Sequence, residues 1–439
     1  MTSFKKIFLS KNPKYLDKVY NRNDYDKTFV TPKAILHWSG IKMTHTITEL
    51  QGKYWSVYYW FEFVNIFAAM CLEFLGMLDT ARGGTFDDAV KIFRMMPCNG
   101  YTVLSLIKSF NMVRYRPVYE NLIDEIGGMW PDGAVGEEEH KIISSALKQI
   151  NFVVKGYYYC NHYLLVSFLC PPFFQRIKGF LGREWEMMLH FFYWLPFNPN
   201  QPVYFEILLT IQTWHAIIVI WLNMSGDLLF CLFLSHITTQ LDLLSVRIKK
   251  LVLVSVDRQL PDHFPLGMLS KDTERLSAEQ EIKEQQQELA EIVKRHHALI
   301  RLSKDVEDMY SFSLLVNFLN SSIFICFCGF CSVVVEKWNE TAYKSFLLTT
   351  LSQIWFLCWY GQKLLDSSEG VSDALYKCGW YNASKKVKTS ILIMLHRYSH
   401  TYDTAGRKPT DRLSHVDRYI SPLLLTLYLV PQLGQHLEK

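Results

Sequence analysis

The sequence predicts an all-α membrane protein: seven transmembrane helices, a cytosolic amino terminus, an extracellular carboxyl terminus, and a long fourth helix that runs on into a cytosolic helical bundle. Three observations predict it. Hydrophobic residues make up 49% of the 439-residue chain and aromatics 15%, yet mean hydropathy is only +0.04, because the charged 20% is clustered between apolar runs. Those runs approach the roughly 20 residues a helix needs to cross a bilayer. The basic residues alternate in density from one intervening loop to the next, as the positive-inside rule requires.

The amino-terminal stretch 1–53 lacks an apolar segment of signal-peptide length and holds ten Lys/Arg against four Asp/Glu, so it is expected as a cytosolic tail. Six spans follow at 54–78, 89–110, 149–174, 203–234, 311–335 and 343–362. With the tail inside, the internal loops carry Arg114, Arg116, Lys141 and Lys148, then eleven basic residues from Arg247 to Lys304. The external loops carry only Arg82, then Arg176, Lys178 and Arg183, then Lys337 and Lys344. Asn339-Glu340-Thr341 is a glycosylation sequon in a loop this topology puts outside, so Asn339 is the expected acceptor.

The fourth run has no proline from Val203 to about Leu251, and as one helix it would measure on the order of 70 Å, far more than a bilayer core of about 30 Å. Beyond Asp227 it turns amphipathic, with Leu234, Ile237, Leu241, Leu244, Ile248 and Leu251 on one face. Ile292, Leu299 and Val306 recur at heptad spacing before the fifth run, with Val293 and Ile300 beside them. Two such stripes on one side of the membrane suit a cytosolic bundle. The segment between them, from Val256 to Glu288, is polar and reads as a loop running into a helix. A seventh apolar run, 420–430, is bounded by Pro422 and Pro431 and is short for a span.

Several motifs carry a chemical reading and a plainer one. Cys328 and Cys331 have C-x-x-C spacing, but no second pair stands nearby and their context is apolar, so neither metal nor disulfide chemistry is expected. His162 and His215 lie within spans, where an ionisable group is a functional candidate; without a catalytic carboxylate beside them, aromatic packing and a satisfied hydrogen bond explain them. Glu62, Glu73 and Glu206 are expected to face protein or water, and Asp227 to be solvated near the inner interface. No cofactor or metal is expected, and a net charge of +4 spread over the loops argues against nucleic acid as a partner.

Four stretches together resemble the insect odorant receptor family. "LPFNPNQPVYFEILLTIQTW" (195–214) is similar to the family's P-F-D-P-x-x-x-P-x-Y entry to the fourth helix, with Asn198 at the Asp position. "RHHALIRLSKDVEDMYSFSLLVNFLNSSIFICFCGF" (295–330) resembles the run through the fifth helix. "SQIWFLCWYGQKLLDSSEGVSDALYKCGWY" (352–381) resembles the end of the sixth helix and start of the seventh, including Ser368, Tyr376 and Trp380. "ILIMLHRYSHTYDTAGRK" (391–408) is similar to the approach to the last membrane segment. The closing stretch departs from the family's T-F-x-x-(I/V)-(L/V)-x-x-S-(Y/F)-S pattern, and Asp417, Arg418 and Pro422 fall where the pore helix is expected.

The resemblance implies the odorant-binding subunit of a ligand-gated, non-selective cation channel, a hetero-tetramer with a shared odorant co-receptor in the plasma membrane of sensory neurons. It is not an enzyme on this reading. It implies a cytosolic tail (1–53), spans one to four with the ligand region (54–246), a cytosolic loop and anchor helix (247–310), spans five and six (311–365), and a seventh helix (366–439) whose cytosolic part runs to about 400 and whose pore segment covers about 412–430. A small volatile apolar ligand needs an apolar cavity with few polar groups. The outer halves of spans two to six offer Met95, His162, Phe168, Tyr204, Gln212, Trp214, Phe324 and Thr350. Ile420, Leu424 and Leu427 are the expected pore-lining residues. A gustatory-type chemoreceptor, a multi-span membrane enzyme and a non-conducting receptor variant with an altered carboxyl terminus remain as alternatives.

Overall fold

The computed structural model describes residues 19–43, 49–182, 184, 187–199, 201–253, 271–334 and 341–403. Asn339 and the expected pore residues Ile420, Leu424 and Leu427 lie outside the described residues, and the side chains of Cys328 and Cys331 lie outside the described ones. The chain order is β1 (Val19–Tyr20), α1 (Arg22–Asp26), a 3-10 turn, α2 (Val30–Trp38), α3 (Glu49–Ala81), α4 (Phe86–Arg114), α5 (Arg116–Gly128), β2 (Gly133–Ala134), α6 (Glu137–Phe180), α7 (Pro202–Leu253), α8 (Lys271–Val334), α9 (Thr341–Lys377), a second 3-10 turn and α10 (Lys385–Asp403).

Helix α7 is the axis of the bundle. Its 52 residues would extend about 78 Å at 1.5 Å per residue, and α2, α4, α6, α8 and α9 all pack on it. From Ala216 to Val252 it is buried on nearly every side, which is why its apolar pattern is almost continuous over the first half. The peripheral helices are inverted relative to a soluble protein. On α3, Val57, Phe61, Val64, Phe67, Phe74 and Leu78 are all exposed at helical spacing, and α6 exposes Phe152, Tyr159, Tyr163, Val166 and Phe173. Contiguous outward apolar faces of this extent belong against lipid. Among the described residues, α3, α7 and α8 each contain a stretch long and apolar enough to cross a membrane.

The stripes read from the sequence are buried: Ile237, Leu244 and Ile248 are fully so, as are Ile292 and Leu299. They meet each other, since α7 and α8 pack together within one chain. Their apolar surface is consumed inside the protomer, whereas Ile300, expected beside them, points outward.

Two helices run across the bounds of the expected segments. Helix α8 runs unbroken through residue 310, because a heptad-spaced segment and an apolar one continue the same helix without a breaker. Helix α9 passes residue 365 and ends at Lys377, where Leu364, Val371, Ala374 and Leu375 extend its buried face. The break falls at Gly379, whose φ of 71° favours glycine.

Residues 19–43 pack into the bundle. Tyr25, Phe29 and Leu36 are fully buried, β1 pairs antiparallel with β2, and the Tyr25 hydroxyl donates to the Ile123 carbonyl at 2.9 Å. Burial pushes the Tyr25 phenol well above its ordinary range. The turn after α2 needs Gly40, with φ of 84°, because a Cβ there would stand 3.1 Å from the Tyr59 backbone.

Candidate functional site

The interior shared by α4, α6, α7 and α9 has two tiers. The lower tier is centred on Asp227 of α7. Its Oδ1 accepts from Lys108 Nζ of α4 at 2.6 Å; its Oδ2 accepts from the Tyr157 hydroxyl of α6 at 2.9 Å and from Gln353 Nε2 of α9 at 2.7 Å. Both charged side chains are more than nine-tenths buried. The expectation that Asp227 is solvated at the inner interface is thus overturned: water is replaced by one cation and two neutral donors, the arrangement a buried carboxylate requires. Gly226 leaves room for the lysine, as a Cβ there would meet Lys108 Cδ at 3.2 Å.

The network climbs from there. Tyr101 of α4 donates to Asn161 Oδ1 of α6 at 3.1 Å, Asn161 Nδ2 donates to the Tyr157 carbonyl at 2.9 Å, and Asn223 Nδ2 of α7 donates to the Tyr101 carbonyl at 2.9 Å. None of Lys108, Tyr157, Gln353, Tyr101 or Asn161 was singled out from the sequence. One signal was available: a lysine in the second apolar run and an aspartate in the fourth, opposite charges in two spans.

The upper tier is aromatic. Phe168 of α6 lies 5.9 Å from Phe346 of α9, and Phe324 of α8 lies 6.4 Å from the same ring. Phe168 also packs 5.3 Å from Phe191 and 6.0 Å from His190, in the segment linking α6 to α7. That segment enters the protein because Gln212 is wholly buried and satisfies its backbone: Gln212 Oε1 accepts from the His190 and Phe191 amides at 2.9 and 3.0 Å, and Nε2 donates to the Phe191 carbonyl at 3.1 Å. Burial holds the His190 imidazole down at about 4, so it is neutral at physiological pH, with Nε2 3.0 Å from Thr213 Oγ1.

Of the eight expected ligand residues, the structure brings Phe168, Phe324 and Gln212 to this aromatic tier, and buries Thr350 one turn from Phe346 on α9. Met95 is buried against Gly76, beside the linking segment's backbone at Phe192 and Trp194. Tyr204 is half-exposed and packs on Phe197 at 4.9 Å. Trp214 donates to Glu62 Oε1 at 3.0 Å on the side facing α3. His162 stacks on Tyr158 at 3.9 Å, with Nδ1 2.9 Å from the Tyr158 carbonyl, in a separate outward-facing cleft.

His215 departs from its expected satisfied state, because its Nδ1 is buried without a partner. It lines a cavity of about 10 Å³ with Glu73, Thr102, Phe191 and Tyr193, room for about one water. The tier is closed around its side chains, with polar groups at its floor and roof.

Sequence and fold both have counterparts among known proteins. A sequence model of the 7tm odorant receptors matches residues 89–404. Odorant receptor 67c of Drosophila melanogaster is 26% identical over 311 residues, 69% of each chain. The odorant receptor coreceptor of Ooceraea biroi is 30% identical over 118 residues, 26% of this chain and 25% of that protein. The olfactory receptor OR5 from Machilis hrabei has the same fold, with a TM-score of 0.69 at 16% identity, covering 92% of this chain and all of that one; its complex with eugenol superposes with a TM-score of 0.68 at 15% identity, over 93% and 99% of the two chains. With the match extending over most of its length, this chain belongs to the 7tm odorant receptor family, integral membrane chemoreceptors of olfaction.

Proposed function

We propose that the chain is the odorant-binding subunit of a ligand-gated, non-selective cation channel, assembled as a hetero-tetramer with a shared co-receptor in the plasma membrane of olfactory neurons. The observation that carries it is the two-tier interior: a closely packed cluster of aromatic rings with few polar groups, seated on a paired ion network that ties four helices together. A small, largely apolar volatile suits the upper tier when these rings part to admit it, with Phe168, Phe324 and Phe346 as walls and Thr350 as the polar group. Eugenol is the ligand in the Machilis receptor complex.

Helices α3, α4, α6, α7, α8 and α9 supply six crossings, with residues 1–53 inside and Asn339 outside; the stretch beyond 403 supplies the seventh, with Ile420, Leu424 and Leu427 at the pore. The lower half of α7, with α8, the end of α9 and α10, forms the anchor, and Ile300, Tyr376 and Tyr381 are among the exposed residues on it that can meet a neighbouring subunit. Ligand binding opens the pore only through a difference in affinity between closed and open states, and the Asp227 network is the element whose two arrangements report it to the helices below.

The test is expression with and without a co-receptor, with current recorded during an odorant series. Cation current evoked only in the pair supports this reading. Silence from a surface-labelled pair, or current from the chain alone, overturns it.

A further inference from the structure

On the outside of the bundle, α2, α6 and α7 enclose a cleft of about 480 Å³, distinct from the aromatic tier. Its walls are apolar: Val30, Ile35 and Trp38 from α2, Val154 and Tyr159 from α6, with Trp221 of α7 as the floor. Its rim is exposed, Trp38 by 65% and Tyr159 by 68%, and continues into the outward apolar face of α6 at Phe152, Tyr163 and Val166.

One lining group is out of character. Lys155 is exposed on this largely apolar wall and has no ion-pair partner among the described residues. The neighbourhood also has the marks of a bilayer interface: Trp55 packs 4.5 Å from His37 and lies under Lys42 Nζ at 4.9 Å, with Tyr54 exposed beside it. Aromatic residues and lysines gather at that level. Lys155 lies on the amino-terminal side of His162 on α6, about 10 Å away at 1.5 Å per residue, so a cation stands at one end of the cleft and aromatic rings line the way from it.

We propose that this cleft holds an acyl chain of an anionic phospholipid of the inner leaflet, its phosphate on Lys155. The volume lies within the range of small-molecule sites, and the inner leaflet is where anionic headgroups concentrate. The lysine needs a counter-charge, the apolar walls need a chain, and a phospholipid brings both in one molecule. The inference rests on the reading that α6 crosses the bilayer.

The experiment places the full-length chain in phosphatidylcholine nanodiscs doped with phosphatidylglycerol, transfers it to detergent, and identifies retained lipid by native mass spectrometry. Incorporation into the discs reports membrane insertion separately from headgroup preference. The wild type is expected to retain phosphatidylglycerol in preference to phosphatidylcholine. Lys155→Gln lowers that preference about fivefold, the weight of one lysine at an anionic surface. Ala34→Trp, which fills the cleft, abolishes retention. Val64→Trp, on the exposed face of α3, leaves it unchanged. Equal retention of both headgroups by the wild type, or retention unaffected by Lys155→Gln or Ala34→Trp, overturns the proposal. So does loss of the preference on adding inorganic phosphate with no chain retained, which would identify headgroup binding alone.

Discussion

Lys108 and Asp227 stand 119 residues apart in the chain and 2.6 Å apart in space. Lys108→Met leaves a buried carboxylate with only the Tyr157 and Gln353 donors, and breaking such a pair costs about 3–5 kcal/mol. Lys108→Met combined with Asp227→Asn keeps an acceptor for both neutral donors and removes both charges, so it is expected to regain most of the loss. Thermal unfolding of the single and double variants checks this, and equal destabilisation in the two would contradict the coupling. His190 has the opposite pH logic to a salt-bridged histidine. Its folded value near 4 lies below the ordinary 6.5, so the released segment takes up a proton before the docked one does. Docking of the segment around His190 is at full strength above pH 6.5 and weakens as pH falls toward 4. Protease cleavage in this segment should rise across that window in the wild type and stay flat in His190→Phe. Gln212→Leu strips two amides and a carbonyl of their partner at once, costing about 1–3 kcal/mol per group left unpaired; faster hydrogen exchange at His190 and Phe191 is the readout. Sequence alone marked Gln212 as a ligand candidate for its polarity within an apolar run. That its amide is occupied by backbone could not be read there, because the partner segment carries no pattern tying it to position 212.

At the scale of elements, α7 separates what periodicity reveals from what it hides. Its length and lower stripe follow from the absence of proline and from apolar residues at helical spacing, and the helix runs unbroken from Pro202 to Leu253. Which helix covers the stripe does not follow, since any apolar face satisfies the same pattern. Leu244→Ala and Leu299→Ala, both wholly buried, are each expected to cost about 2–5 kcal/mol. Ile300→Ala, exposed by 51%, should fall within about 0.5 kcal/mol for the lone subunit. Were Ile300 part of a subunit contact, its loss would show in co-receptor pull-down and leave the unfolding temperature in place. The segment bounds at 310 and 365 mark changes in polarity along the chain, which are not helix ends. A helix answers to its backbone hydrogen bonds and continues through such a change until a glycine such as Gly379 stops it.

At the scale of the whole molecule, the outward apolar faces of α3 and α6 and the buried axis of α7 make a protein built for two solvents. Surface-labelled Asn339→Gln, compared with the wild type after glycosidase treatment, tests which side the loop before α9 occupies: a wild-type shift that the variant lacks places it outside. The all-helical membrane class, the six long apolar runs and the odorant-receptor likeness were legible in the sequence, because hydrophobic length and local motifs are properties of contiguous residues. Tertiary structure alone decided that Asp227 meets Lys108, that the stripes of α7 and α8 close on one another within the protomer, that residues 19–43 dock through Tyr25 and Phe29, and that His162 belongs to an outward-facing cleft apart from the aromatic tier. Each of these joins residues far apart in the chain, and a contact of that kind is set by how helices cross, which no local pattern of side chains encodes.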